Sequence, residues 1–507
     1  MTLAAQTILA VPPFPGGKPY PVVLSAAGGE SHVRSATAEQ ILAALRQHRV
    51  GGPFWAPDDP WTIAQESVTG SADDPLMLLS AIAGKRVCLN GEGAFAALAD
   101  RAPGAPETEA IIAALVERHL VQNVAYADPF TGQPTSALDL IETLASWRRL
   151  IDANRPIAAA FGFAHWKRDT VDPLLWGGRP VPFRSSHLAE LNRLPKGASV
   201  AVWKSRVPAD FLAALDSGPW RVLEVEDGFI RSAGLGADCV PPLSIVVDDL
   251  GVHYDPTRPC RLEAMLASDD FSTDLLTRAR ALRNWLVREG ISKYGISTGS
   301  ALPRPGGTKR HILVVGQVED DRSVLFGSPT VRSNFDLLRR VRALAPDAHL
   351  VYRPHPDVEA GHRKGAIPKR EALAIADSID PSSPISALIG MVDEVHVMTS
   401  LAGFEALLQC KTVTTHGVPF FAGWGLTRDL AMTPDRRRPG CTRDALAAAV
   451  LLVYPRYLDP LTNLPCNAEI MIMRLLSGVK RQNDALVPMR RFLGWTKRAM
   501  KQLPNGQ

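Results

Sequence analysis

From residue 198 to residue 415 the chain alternates short β-rich runs with longer helical stretches, and it does so in two consecutive sets. That alternation most restricts the fold, because it predicts sheets layered with helices rather than a helical bundle or an all-β sandwich. In the first set, residues 198–203, 220–225 and 243–248 read as buried strands, and a long helical pattern runs from Leu262 to Glu289. A Pro/Gly-rich stretch, Ala301–Thr308, then reads as a linker and the best candidate for a domain boundary. In the second set, strands are predicted at His311–Val315, His349–Tyr352, Glu394–Met398 and Thr412–Thr415, with helices at Asn334–Ala345 and Leu401–Cys410. Two such halves predict two facing Rossmann-like domains with a cleft between them, and ligands bound beyond the carboxyl ends of the strands.

A repeat brackets this region. Tyr126-Ala-Asp128-Pro129-Phe-Thr131-Gly-Gln-Pro134 recurs as Tyr457-Leu-Asp459-Pro460-Leu-Thr462-Asn-Leu-Pro465. Each copy leads into a helical pattern and then a Trp/Lys/Arg-bearing end, Trp166-Lys167-Arg168 in one and Trp495-Thr-Lys497-Arg498 in the other. Chance likeness of two Asp-Pro turns explains the matched spacing less well than duplication does, so the tail of one module is expected to precede one complete module. The organisation expected is an undefined Ala- and Pro-rich region at 1–120, one Rossmann-like domain at 121–300, a second Rossmann-like domain at 301–450 and a basic helical segment at 451–507.

Composition removes several classes of function. Hydrophobic residues make up 46% and charged residues 21% of the chain, which excludes global disorder. No apolar run approaches the roughly 20 residues that cross a bilayer, and the first residues lack the basic start of a secretory signal, so a cytoplasmic protein is expected. Six cysteines without CxxC spacing support neither a disulfide scaffold nor a metal knuckle. A net charge of +4 gives no support to a nucleic-acid partner. From Arg474 onward, however, basic residues interleave with Met489, Phe492, Leu493 and Trp495. Such a segment suits either a solvated basic tail or a contact with an anionic inner-membrane surface.

The chemistry-bearing residues cluster at predicted strand ends. Glu226 and Asp227 close a strand, with Arg231, Ser232, Gly234 and Gly236 just beyond. A carboxylate there suits a nucleophile or general base kept ionised by the guanidinium, and equally suits capping of a following helix. Arg353 and the proline-flanked His355 point to a held phosphate or carboxylate, or to a structural histidine. Ser400, Leu401 and Gly403 open a helix whose start favours phosphate, Glu405 lies one turn on in reach of ribose hydroxyls, and Gln317 to Asp321 follow the first strand of the second set. A well-capped helix and a solvated loop are the plainer readings of these last two. No HExxH, Walker or GxSxG motif is present.

Taken with their spacing, EDGFIRSAGLGAD (226–238), PLSIVVDDLGVHYD (242–255), SKYG (292–295), GQVEDDRSV (316–324), YRPHPDVEAG (352–361), VDEVHVMTSLAGFEALL (392–408) and GVPFFAGWGLTRD (417–429) resemble the capsule polysaccharide biosynthesis family, and within it the KpsC-type β-Kdo transferases. The resemblance covers roughly residues 120–507. It implies a GT-B fold and retaining transfer of Kdo from CMP-β-Kdo to a β-Kdo linker on a phosphatidylglycerol-type lipid, at the inner membrane beside other capsule assembly proteins. It implies Asp227 as the catalytic carboxylate beside Glu226 and Arg231, with Arg353 and His355 on the donor's phosphate or carboxylate. Ser400 and Leu401 would take the CMP phosphate, Glu405 the ribose, and Gln317 and Asp321 the donor side of the cleft. No metal or other cofactor is implied, since CMP is a good leaving group. Many relatives carry two modules, so a chain with one is expected to make one linkage or to depend on a partner chain for the other. The rival expectations are a sugar-nucleotide epimerase of the same fold and a non-catalytic assembly or export scaffold.

Overall fold

The β-rich runs become strands close to where their patterns lie in the computed structural model, which describes residues 2–25, 36–231, 240–293, 295–296, 302–305, 307–361 and 363–479. In the first set these are β1 (Ser199–Val202), β2 (Arg221–Asp227) and β3 (Ser244–Asp248). β1 and β2 are parallel, whereas β3 runs antiparallel to β2 and also pairs antiparallel with Pro455–Leu458. This sheet is therefore mixed, unlike the second. The chain returns directly along β2, with Gly228 N–H donating to Ser244 O (3.0 Å) and Leu243 N–H donating to Arg231 O (2.8 Å). Gly228 is required there, because a Cβ would come within 2.2 Å of Ser244 Oγ.

The second set forms β4 (His311–Val315), β5 (His349–Arg353), β6 (Ser378–Ile379), β7 (Glu394–Val397), β8 (Thr412–Thr415) and β9 (Arg428–Asp429). All its pairings are parallel, in the order β6-β5-β4-β7-β8-β9. Counted from β4 this is 3-2-1-4-5-6, the doubly wound order in which the β4/β7 boundary is the switch point for ligands. β4 reads as an unbroken apolar run after His311 because both its faces are covered. The stretch from Leu262 to Glu289 is two helices rather than one, Arg261–Ser268 and Thr273–Arg288. Asp269 turns into the left-handed region (φ 49°), and Ser272 then caps the second helix through Leu275 N–H.

Contacts divide the chain into two compact units: residues 1–160, 168–183 and 458–465 in one, and 161–167, 184–457 and 466–507 in the other. Strands β1 to β9 lie in the second unit, and residues 1–120 are part of the first. In the first unit, Phe14 meets Trp147 and Trp176 edge-on at ring distances of 5.6 and 5.0 Å, and Phe130 packs on Trp147 at 5.9 Å.

The repeated sequence folds as a repeated structure. Tyr126 OH donates to Leu120 O (2.6 Å), and Tyr457 OH donates to Leu451 O (2.9 Å). Asp128 accepts from Phe130 N–H, Thr131 N–H and the Thr131 hydroxyl; Asp459 accepts from Leu461 N–H, Thr462 N–H and the Thr462 hydroxyl. Within the first unit, the N-terminal segment bonds to both turns, Lys18 N–H to Thr462 O (2.7 Å) and Tyr20 N–H to Pro129 O (3.0 Å). Asp459 is fully buried and Asp128 half-buried. Asp459→Ala is thus expected to cost about 2–3 kcal/mol and Asp128→Ala about 1 kcal/mol. Urea unfolding of the two variants checks this, and equal losses would contradict it.

Candidate functional site

Strand β2 carries Glu224 and Glu226 on one face and Val225 and Asp227 on the other, since side chains alternate along a strand. The two adjacent acids therefore meet different neighbours. Asp227 Oδ2 accepts from Arg231 Nε (2.8 Å), and its Oδ1 accepts from Lys167 Nζ (3.3 Å). Burial works to raise the Asp227 pKa, but the charges of Lys167, Arg231 and Lys293 and the Arg231 hydrogen bond prevail and hold it below the usual carboxylate value. Arg231 is almost fully buried and is itself fixed by Val240 O (2.8 Å). Lys167 lies 3.3 Å from the centre of the Trp203 ring. Burial lowers its pKa to about 8 against the pull of Asp227.

Glu226 instead accepts from Tyr254 OH (3.3 Å). Burial, reinforced by the Asp227 charge, raises its pKa to about 7. One strand end thus offers a carboxylate kept ionised and a second poised to exchange a proton near neutrality.

From Asp227 a continuous path leads to the second sheet. Arg231, held on Asp227, donates its backbone N–H to Lys293 O (3.0 Å), and Lys293 N–H donates to Glu405 Oε1 (3.1 Å). Glu405 lies on Ala402–Leu408, the helix after β7. Burial raises its pKa to about 7, with the Lys293 hydrogen bond and charge opposing. The Lys293 charge also acts on His355. The structure so brings Glu226, Asp227 and Arg231 together and ties them to Glu405, with His355 in the same field.

The remaining expected residues are engaged by their own loops. His355 Nδ1 accepts from Asp357 N–H (3.1 Å) and caps the short helix Pro356–Glu359, which leaves Nε2 as the ring's donor. Burial lowers its pKa, so the imidazole is neutral at pH 7. Arg353 donates to Asp380 O (2.8 Å). Gln317 is nearly buried and uses its whole amide on Thr399, accepting from Thr399 N–H (2.8 Å) and donating to its hydroxyl (3.0 Å), which braces the end of β4 against the loop after β7. Asp321 caps the helix Arg322–Gly327 through Ser323 N–H (2.9 Å). Ser400 Oγ accepts from Ala402 N–H (3.3 Å) beside Leu401. Gly403 is required by packing, because a Cβ would lie 2.6 Å from the Phe421 ring. Ser232, Gly234 and Gly236, and the basic stretch beyond residue 479, lie outside the described residues.

Two lysines join the site that the sequence reading did not single out. Lys167 stands in the Trp-Lys-Arg end of the first repeat and Lys293 in the SKYG motif, and a lysine's buried partner is not visible until strand ends from distant segments converge.

A model of the family described as capsule polysaccharide biosynthesis protein matches residues 199–295 and 300–457. The capsule polysaccharide modification protein LipA of Neisseria meningitidis is 38% identical over 375 residues, which cover 72% of this chain and 52% of LipA. The chain thus spans about half the length of LipA. The lipopolysaccharide-processing protein LpsZ of Rhizobium meliloti is 41% identical over 342 residues, 65% of this chain and 77% of LpsZ. Two solved structures of Thermosulfurimonas dismutans KpsC are also similar. Its beta Kdo 2,7 transferase has 33% identity and a TM-score of 0.52, with 64% of this chain and 99% of that one covered. Its beta Kdo 2,4 transferase has 29% identity and a TM-score of 0.54, with 63% and 98% covered. On a family match that takes in β1 to β9 together with Asp227, Lys293 and Glu405, this chain belongs to the capsule polysaccharide biosynthesis family.

Proposed function

We propose that the chain is a retaining β-Kdo transferase of GT-B type, in which the mixed sheet carries the nucleophile and the doubly wound sheet holds CMP-β-Kdo. The observation that carries this reading is Asp227, ionised by Lys167 and Arg231 at a strand end and linked through Lys293 to Glu405. The likeness to two Kdo transferases supports the sugar. Asp227 Oδ attacks the anomeric carbon, the bond to the CMP phosphate oxygen breaks, and CMP leaves with the electron pair. An acceptor hydroxyl then displaces Asp227 from the same carbon, its proton passing to solvent and the Asp227 carboxylate being restored, so two inversions give retention. The Nε2 donor of His355 and the guanidinium of Arg353 face the departing phosphate's charge or the sugar carboxylate, while Glu405 takes the ribose and Ser400 with Leu401 the phosphate. Gln317 and Asp321 act by shaping these loops. The acceptor is a β-Kdo-terminated, lipid-linked glycan. Among the described residues no helix is long and apolar enough to cross a membrane, and we assign the contact with the lipid surface to the basic segment from Arg474 onward.

The test is the purified chain with CMP-β-Kdo, CMP-sialic acid or a UDP-sugar and a synthetic β-Kdo acceptor. CMP release and an acceptor one Kdo longer are expected with the first donor alone. Turnover of a UDP-sugar without transfer would instead favour an epimerase.

A further inference from the structure

The repeat around the Asp-Pro turns extends through most of the first unit. The strand Val23–Ser25 pairs antiparallel with Val124–Ala127, as β3 pairs with Pro455–Leu458. The helix Ala38–His48 buries Ala38, Ile41 and Leu45 where Thr273–Arg288 buries Ala279, Leu282 and Leu286. Arg49 and Gly290 then take the same left-handed turn (φ 54° and 62°). Further on, Ser67–Ser71, the helix Pro75–Ile82 and Arg86–Asn90 repeat β7, the helix Ala402–Leu408 and β8. Asp74 accepts from Leu76 N–H as Ser400 accepts from Ala402 N–H, and Lys85 N–H donates to Ser80 O as Lys411 N–H does to Ala406 O (both 2.9 Å). The π-helical turns match too, Glu117–Val121 with Ala448–Val453.

Between these stretches the first repeat is short. Residues 51–66 stand where 292–393 carry β4, β5 and β6. Asp74, Met77 and Leu79 also take the places of Ser400, Gly403 and Glu405, so the groups read above as holding the nucleotide are replaced. The loss of β4 leaves an open strand edge. β7 is buried throughout and pairs with β4 on one side and β8 on the other. Ser67–Ser71 pairs with Arg86–Asn90, and among the described residues no strand takes its other side. Arg86 N–H donates to Glu66 O (2.9 Å) and Ala72 N–H to Asn90 O (3.2 Å), so alternation turns the backbone groups of Ser67 and Thr69 outward. Ser67, Thr69 and Ser71 are exposed, and the strand has no charged residue or proline to guard it.

The acids that enter the two strands differ likewise. Asp393 accepts from His311 N–H (2.9 Å) and pairs with Arg304 (2.7 Å), which binds the start of β4 and the segment before it. Glu66, at the same place before Ser67–Ser71, is exposed, and its carboxylate has no hydrogen bond or ion pair among the described residues. We propose that this edge is a docking site for a partner protein, which adds one uncharged extended strand in parallel, entered by a basic residue that pairs with Glu66. The second repeat picks this occupant, because β4 and Arg304 fill the same position there. The outward backbone groups of Ser67 and Thr69 give the affinity and Glu66 the direction. The docking site stands apart from the transferase chemistry, and its failure would leave that reading untouched.

A fluorescein-labelled peptide of residues 308–317, which carries β4 behind Lys309 and Arg310, is the probe, titrated by anisotropy against the full chain. Saturable binding is expected, with slowed amide exchange at Ser67 and Thr69. Thr69→Pro removes an outward N–H but none that bonds to Arg86–Asn90, and should weaken binding at least about tenfold. Glu66→Gln alters an exposed side chain and gives a variant whose folding is not at issue; it should weaken binding about threefold, an effect that salt diminishes. Thr69→Val should retain binding. No saturable binding, equal binding of a scrambled peptide, or binding indifferent to Thr69→Pro and Glu66→Gln would overturn the proposal. So would a dimer of the chain in sedimentation velocity that Thr69→Pro dissolves, since a second copy would then occupy the edge.

Discussion

Asp227→Asn is expected to lower Kdo transfer by at least about 10³-fold, because the amide cannot form the glycosyl ester on which the two-step path depends. The substitution keeps an acceptor for Arg231 Nε while removing the charge between that guanidinium and Lys167. Two poorly solvated cations then face each other without a counter-charge. Asp227 is partly exposed, with 26% of its side chain open, so the stability loss should be about 2 kcal/mol rather than the larger cost at a fully enclosed pair. CMP binding to the doubly wound sheet should change little. A variant that still transfers Kdo at a tenth of the wild-type rate would exclude Asp227 as the nucleophile.

Lys167→Met is expected to lower transfer about 10²-fold, the scale set by losing one preorganised charge at a reacting oxygen. Methionine keeps apolar bulk over Trp203, so the loss reports the charge more than the packing. The pH dependence separates this from a structural role. The Lys167 pKa is lowered from an ordinary 10.5 to about 8. In the wild type the ammonium therefore deprotonates as pH rises through about 8, and transfer should fall there. Stability should move the other way. Between about 8 and 10.5 the unfolded chain binds more protons at this site than the folded one, so the cost of burying the ammonium is fully present below 8 and is relieved as pH climbs. Rate and stability profiles of opposite slope above pH 8, both flattened in Lys167→Met, are the expected signature. Parallel slopes would contradict it.

The legible part of this fold was local. β4 and β8 fall on their predicted residues, because four consecutive apolar or β-branched residues between turn signals leave little alternative. β6 and β9 were not foreseen, since two-residue edge strands carry no pattern of their own. Leu262 to Glu289 kept helical periodicity across a break that depends on one left-handed Asp269 and a Ser272 cap. Direction was also hidden. Nothing in the 243–248 run says that it pairs antiparallel with β2. In the site, acids at a strand end were visible as a pair, whereas their division between two faces, and the lysines that separate their ionisation, needed residues from distant segments. Gly403, read for phosphate approach, has a packing demand that the sequence does not show, since a Cβ there would meet the Phe421 ring. The repeat was legible because its turn is written in residues, an Asp, a Pro and a Thr, whose hydrogen bonds are made within the turn itself.

Intact-mass spectrometry of the wild-type chain mixed with CMP-β-Kdo and no acceptor probes the shared premise most directly. A species heavier by one anhydro-Kdo unit is expected, mapping after proteolysis to the peptide that holds Asp227 and disappearing when a β-Kdo acceptor is added. Brisk transfer with no such species at any quench time in the wild type, or an adduct on a peptide that lacks Asp227, would contradict a covalent path through this residue.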